Sequence, residues 1–191
     1  VAIDPEKEIR VCCGSTGCMI ASLMAIVNPG EEVIVFEPFY ENYGPDTKLS
    51  GAVPRFVRLR LEPGFPFDPD ELRAAITPRT KAIIINSPNN PSGGVVTDDE
   101  FKKIAQLAID RDLFLISDEA YSHFVYEGRK PFSIASLGEA IKRRLVVIGT
   151  LSKTYAMTGW RLGYALAPEK LIQQMLKIQS HSTSNPTSIS Q

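Results

Sequence analysis

Seven short apolar runs recur along the chain, separated by amphipathic stretches and by clusters of glycine, proline and asparagine. They are Ile9–Cys13, Val33–Phe36, Val53–Val57, Ala82–Ile85, Leu113–Ser117, Leu145–Gly149 and Leu162–Ala167. Ala82-Ile83-Ile84-Ile85 and Leu145-Val146-Val147-Ile148 are continuous rather than alternating, as strands covered by helices on both faces are. Strands that alternate with helical stretches build βαβ units and a parallel sheet. Helices are expected over Gly17–Val27, near Asp70–Ile76, over Asp98–Arg111 and from Pro168 through Ile178. The first stops at Asn28-Pro29-Gly30, an αL-tolerant residue followed by a proline. Asp68 with Glu71, and Thr97 with Glu100, have the capping-box spacing, and Pro168 suits a first helical turn. There is no internal repeat, only a polar tail after Gln179. The expected architecture is one doubly wound α/β/α domain, a three-layer sandwich on a mostly parallel seven-stranded sheet with one antiparallel strand.

The 191 residues are enough for one domain with a sizeable core. A net charge of −1 gives no reason to expect nucleic acid or an anionic membrane as a partner. No apolar run approaches the roughly 18–20 residues that a membrane helix needs. Cys12, Cys13 and Cys18 make a poor disulfide framework. The two histidines, His123 and His181, lie too far along the chain to complete a metal site with them. Reduced thiols in a cytoplasmic protein are the expectation. The opening Val1-Ala2-Ile3-Asp4-Pro5 has neither a signal-peptide pattern nor a starting methionine, and Ser184–Gln191 stops where a further helix is expected. The chain therefore reads as an excerpt of a longer protein.

Open parallel sheets place their ligands beyond strand C-termini. Five loops there could hold chemistry: Gly14–Gly17, Phe36–Tyr40, Asn86–Gly94, Asp118–Tyr121 and Thr150–Lys153. The last offers a nucleophilic amine and two hydroxyls, with the cation of Arg161 eight residues beyond Lys153. Lysine forms Schiff bases, and the planar fork of arginine suits phosphate. Flanking Leu151, Tyr155 and Trp160 predict burial of Lys153, and desolvation favours the neutral, nucleophilic amine.

Gly14-Ser15-Thr16-Gly17 could present helix N–H groups to an anion or be a plain strand-to-helix turn; it lacks both the dinucleotide GxGxxG and the lysine of the nucleotide P-loop. Asp118 could pair with a protonated ring nitrogen, or cap a helix, or form a surface ion pair. Tyr121 could donate its hydroxyl to a phenolate or simply pack. Asn89-Asn90-Pro91-Ser92-Gly93 is a turn on any account, with one amide to spare for a ring oxygen. Tyr40 is a candidate stacking platform, whereas Phe39 is expected in the core.

Taken in order, Gly14–Gly17, Asn89–Gly93, Ser117–Tyr121 and the stretch with Ser152-Lys153 and Gly159-Trp160-Arg161-Leu162-Gly163 resemble the large domain of the fold-type I aminotransferases of class I/II. The resemblance runs from about Ile9 to Gln191. It implies a cofactor, pyridoxal 5′-phosphate, carried by Lys153 as an internal aldimine, with Lys153 moving the proton between substrate Cα and cofactor C4′. It implies that Asp118 pairs with the ring nitrogen, that Tyr121 and Asn90 hydrogen-bond O3′, and that Tyr40 stacks on the ring. Ser15, Thr16, Ser152 and Arg161 would hold the phosphate, with Gly14 allowing close approach and Thr150 where the family often has a phosphate-binding serine. Lys153, Asp118 and Tyr121 are the catalytic candidates, and no metal is expected.

The implied reaction is ping-pong amino-group transfer between an amino acid and a 2-oxo acid, in a homodimer. Ser184-Asn185-Pro186 resembles a stretch that reaches toward the neighbouring subunit. Gly17-Cys18 departs from the commoner Glu-Ala, and Ser92 from threonine. The arginine that grips the substrate carboxylate belongs to the family's small domain, and no residue here is assigned that role. C–S lyases, decarboxylases and cofactor-binding regulatory modules share the scaffold, because a fold does not fix its reaction.

Overall fold

A computed structural model of the chain describes residues 2–62 and 64–191; Val1, the first residue of the expected excerpt, and Pro63 lie outside them. One sheet contains β1 (Ile9–Cys13), β2 (Glu32–Glu37), β3 (Val53–Arg58), β4 (Thr80–Asn86), β5 (Phe114–Asp118), β6 (Leu145–Thr150) and β7 (Leu162–Leu166). Each strand grows from one of the apolar runs. Their order is β1-β7-β6-β5-β4-β2-β3. β7 pairs antiparallel with β1 and β6 while the remaining pairs are parallel, so β7 is the one reversed strand.

Alternate residues of the central strands feed two separate cores. On one face, α1 (Gly14–Ile26), α2 (Tyr43–Leu49) and α7 (Glu169–Ser180) pack against Val33, Val35, Ile84, Ile116, Val146 and Ile148. On the other, α3 (Pro69–Ala75), α4 (Asp98–Asp110) and the short α5 (Glu139–Lys142) cover Ile34, Ile83, Ile85, Leu115 and Leu145. Each fully buried Ile or Leu contributes about 1.5–3 kcal/mol, which is why the central runs Val33–Phe36, Ala82–Ile85 and Leu145–Ile148 carry no polar residue to either face.

Besides the one-turn α5 and α6 (Leu151–Thr154), which no pattern announced, three helices differ from expectation. α1 begins at Gly14 rather than Gly17, so Gly14-Ser15-Thr16 is its first turn. α2 was not expected because Gly44 and Pro45 disguise it; a first-turn proline is tolerated, since its missing N–H would have no intrahelical partner. α7 starts at Glu169, with Pro168 just before it, and runs past Gln179. Gln179, just before the polar tail, is buried: its Nε2 donates to Val11 O at 3.0 Å and its Oε1 accepts from Arg10 Nε at 2.6 Å.

Capping follows the sequence in part. The Thr97–Glu100 box closes in both directions, with Glu100 N donating to Thr97 Oγ1 at 3.3 Å and Thr97 N to Glu100 Oε2 at 2.8 Å. Asp68 caps α3 through Asp70 N and Glu71 N, but Glu71 turns away and accepts from Arg58 N at 3.1 Å. The three thiols are free, with Cys12 and Cys18 buried. Among the described residues, no cluster of His, Cys, Asp or Glu suits a metal, and no helix is long and apolar enough to cross a membrane.

The chain winds outward from β2 to β3, then returns to place β4 on the other side of β2. Such a switch point opens a crevice at the carboxyl edge of the sheet. The candidate loops meet there.

Candidate active site

Gly14 begins α1 directly after β1, with φ +71°. Its N–H donates to Arg161 O at 2.9 Å, and a β-carbon on it would lie 2.5 Å from Arg161 Nη2. Glycine is thus what lets the guanidinium rest against this turn. Arg161 is itself held in the left-handed region, φ +53°, and its Nη1 donates to Thr158 O at 3.1 Å. The N–H groups of Ser15 and Thr16 fall in the first helical turn, where no intrahelical acceptor reaches them. These donors, the positive end of α1 and the guanidinium form a cradle for an anion.

Ser152 approaches the same cradle from α6 (Leu151–Thr154). Thr150 caps that turn: its Oγ1 accepts from Ser152 N at 3.2 Å and donates to Leu162 O at 3.0 Å. Thr150 lines the cavity, but its hydroxyl proton is taken by the backbone.

Asp118, the last residue of β5, is buried beside Asn86 of β4. Its Oδ2 accepts from the Tyr43 hydroxyl at 2.8 Å and its Oδ1 from Ala120 N at 3.0 Å. It is neither a helix cap nor a surface ion pair. Burial raises its carboxyl above the usual carboxylate range, and the Tyr43 and Ala120 donors offset that only in part. A cation in the cavity would be its natural further partner.

Lys153 stands at the cavity mouth with Nζ 5.6 Å from the centroid of the Tyr121 ring, within cation–π range. The expected burial is absent. Lys153 is exposed, as are Tyr155 (66%) and Trp160 (47%), because nothing among the described residues packs over the Leu151–Arg161 loop.

The two asparagines divide their work. Asn89 holds the turn, its Oδ1 accepting from Ser92 N and Ser92 Oγ, whereas Asn90 faces the cavity. Asn86 steers this loop: its Oδ1 accepts from Asn90 N at 2.8 Å and its Nδ2 donates to Asp118 O at 3.0 Å. Tyr40 meets Tyr43 edge-on, centroids 5.8 Å apart and planes at 77°. Phe39 stacks on Phe56 against the core, as expected.

The cavity has a volume of about 250 Å³, the scale of one substituted ring. Every expected site residue lines it except Gly14, which backs Arg161. Sequence reasoning missed Tyr43 and Asn86. Asn86 had a legible signal, a polar residue closing an apolar strand; Tyr43 had only its place in an aromatic segment.

A doubly wound sheet with an anion cradle, a buried carboxylate and a lysine amine on one carboxyl-edge cavity defines a class of protein. The sequence matches the aminotransferase class I and II family over residues 1–191, and the chain belongs to that family. It is 41% identical to an aspartate aminotransferase of Geobacillus stearothermophilus over 96% of this chain and 47% of that protein. It is also 41% identical to an aspartate aminotransferase of Pyrococcus abyssi, over 100% of this chain and 49% of that one. The crystal structure of an aromatic aminotransferase from Pyrococcus horikoshii superposes with a TM-score of 0.95 at 38% identity, covering 100% of this chain and 51% of that one. The chain thus spans about half the length of the curated relatives it matches.

Proposed function

We propose that the protein transfers an amino group between an amino acid and a 2-oxo acid with pyridoxal 5′-phosphate as cofactor. One observation carries this: an anion cradle, a buried carboxylate and a lysine amine open on a single ring-sized cavity. The cofactor used by class I and II aminotransferases fits that donor set. Its phosphate suits Ser15, Thr16, Ser152 and Arg161, its ring nitrogen Asp118, and its phenolic oxygen Asn90 and Tyr121.

When bound, this cofactor supplies an electron sink for the pair released from the substrate Cα–H bond. Lys153 would hold it covalently and, once displaced, take the proton from substrate Cα and deliver it to C4′. Asp118 would keep the ring nitrogen cationic. Asn90 and Tyr121 would hold the ring's O3′, and Tyr40 would cover one ring face. The names of the relatives agree on amino-group transfer and differ in the amino donor, aspartate or aromatic, so the reading is made at the level of the reaction. The full-length protein would act as a homodimer, as the resemblance of Ser184-Asn185-Pro186 implies; Asn185 O accepts from Cys13 Sγ at 3.8 Å, beside the cradle. Free thiols at Cys12, Cys13 and Cys18 favour a cytoplasmic location.

Adding the cofactor should give a visible absorption band, and borohydride should fix a covalent adduct on Lys153. Lys153→Ala should abolish the adduct; an adduct that persists on another lysine would overturn the reading. In the full-length protein, stoichiometric oxo-acid exchange indicates transfer. Release of pyruvate and a thiol from a cysteine conjugate would indicate lyase chemistry instead.

A further inference from the structure

The head of α2 touches both ends of the cavity through two consecutive residues. Asn42 Nδ2 donates to Thr16 Oγ1 at 3.3 Å, in the anion cradle. Tyr43 donates to Asp118 Oδ2 at 2.8 Å. Tyr43 is 3% exposed, packed in the core beneath α1 and braced edge-on by Tyr40. Its phenol stays protonated, because burial and the neighbouring Asp118 charge raise it well above its ordinary range. It is therefore a fixed donor and does not exchange protons with the carboxylate.

A fixed donor on Asp118 matters because of what the carboxylate must face. In a dry site, an ion pair between a carboxylate and a pyridinium competes with the neutral pair, in which the proton sits on the carboxyl group. Each hydrogen bond donated to the carboxylate makes it the weaker base and favours the ion pair. Ala120 N supplies one such bond from the backbone, which no side-chain substitution removes. Tyr43 supplies the other.

We propose that Tyr43 is a positioning residue that orients Asp118 and keeps the shared proton on the cofactor's ring nitrogen. This rests on the cofactor reading above. A tyrosine that merely fills the core would predict a change in stability alone.

Tyr43→Phe removes one oxygen and keeps the ring, and the chain loaded with 15N-labelled pyridoxal 5′-phosphate reports the proton directly. In the variant, the ring-nitrogen resonance should move toward the unprotonated pyridine position. The pH at which the carboxylate–nitrogen pair gives up that shared proton should rise by about one unit, because a carboxylate with one donor fewer is the stronger base. Affinity for inorganic phosphate, which fills only the cradle, should change less than about twofold.

A nitrogen resonance and titration identical to wild type, with the borohydride-fixed Lys153 adduct present in both proteins, would overturn the proposal. Absence of the adduct in wild type would overturn the cofactor reading itself. The unaltered residue gives a second measure that does not depend on the variant folding. The Cζ resonance of 13C-labelled Tyr43 should shift on loading the cofactor and stay in place with inorganic phosphate alone. A Cζ resonance indifferent to the cofactor would also overturn the assignment.

Discussion

Gly163 of β7 lies so close to Gly14 that a β-carbon on it would stand 2.3 Å from the Gly14 carbonyl carbon and 2.5 Å from Ser15 N. The close approach brings the last strand of the sheet against the first turn of α1, where the anion cradle forms. The obstructing atoms are backbone, so no side-chain rotation relieves a larger residue. Gly163→Ala should lower stability by about 1–3 kcal/mol, the usual cost of overpacking, and weaken binding of inorganic phosphate. Gly159→Ala, where a β-carbon meets nothing within 4 Å, should change neither. Thermal unfolding and a phosphate titration of both variants check this; equal melting of Gly163→Ala and wild type would refute it.

Asp118→Asn keeps the shape of the side chain but removes its charge, and an amide offers one acceptor oxygen where the carboxylate now uses two. The cradle and Lys153 are untouched, so the cofactor should still bind and still be fixed by borohydride. Turnover in the full-length protein should fall by roughly a hundredfold or more, the scale of losing one preorganised charge at the reacting centre. Turnover within a factor of two of wild type would remove Asp118 from its proposed role.

The seven strands were legible because a parallel sheet buried on both faces needs uninterrupted apolar runs, and little else in a sequence looks like Ala82–Ile85. Lys153, Asp118, Asn90 and Arg161 were legible because loops after such strands must converge on one edge. Tyr43 was hidden for a different reason. Its hydroxyl reaches Asp118 across 75 positions of sequence, and the helix that aims it begins Tyr43-Gly44-Pro45, which local propensity reads as a turn. The exposure of Lys153 was equally out of reach, since burial depends on what packs over a loop and not on the loop's own aromatic residues.

Glu32, at the start of β2, has a side chain with no exposed surface. Its Oε2 accepts from Thr77 Oγ1 at 2.6 Å, and its Oε1 meets Arg79 Nη2 at 2.7 Å and Arg55 Nη2 at 3.2 Å. Burial pushes its carboxyl upward, but those three donors outweigh it and the net shift is downward. A carboxylate with a folded pKa below the unfolded one stabilises the fold above the unfolded value, about 4.3, and loses that contribution as pH falls. Glu32→Gln should therefore cost about 1–3 kcal/mol at pH 7, because its cationic partners lose a charged acceptor. The gap to wild type in urea unfolding should narrow as pH drops below about 4.3. A gap that stays constant from neutral to acid pH would contradict this.

Asp46 presents the opposite case one turn into α2. It is buried, its Oδ2 has no hydrogen-bond partner among the described residues, and burial raises its carboxyl from the ordinary 3.8 to about 6. A carboxyl group that binds its proton more tightly when folded helps the protein only while it is protonated. That help is complete below about pH 4, fades through the folded value near 6 and is gone at neutral pH, a swing of about 3 kcal/mol. Asp46→Asn matches the shape without the charge, so it should raise the melting temperature at pH 8 and leave it nearly unchanged at pH 4. Tyr43 sits on the same helix and should keep its bond to Asp118, so cofactor binding should not follow the gain in stability. A variant no more stable than wild type at pH 8 would show that the Asp46 carboxylate has a partner or solvent access that the structure does not give it.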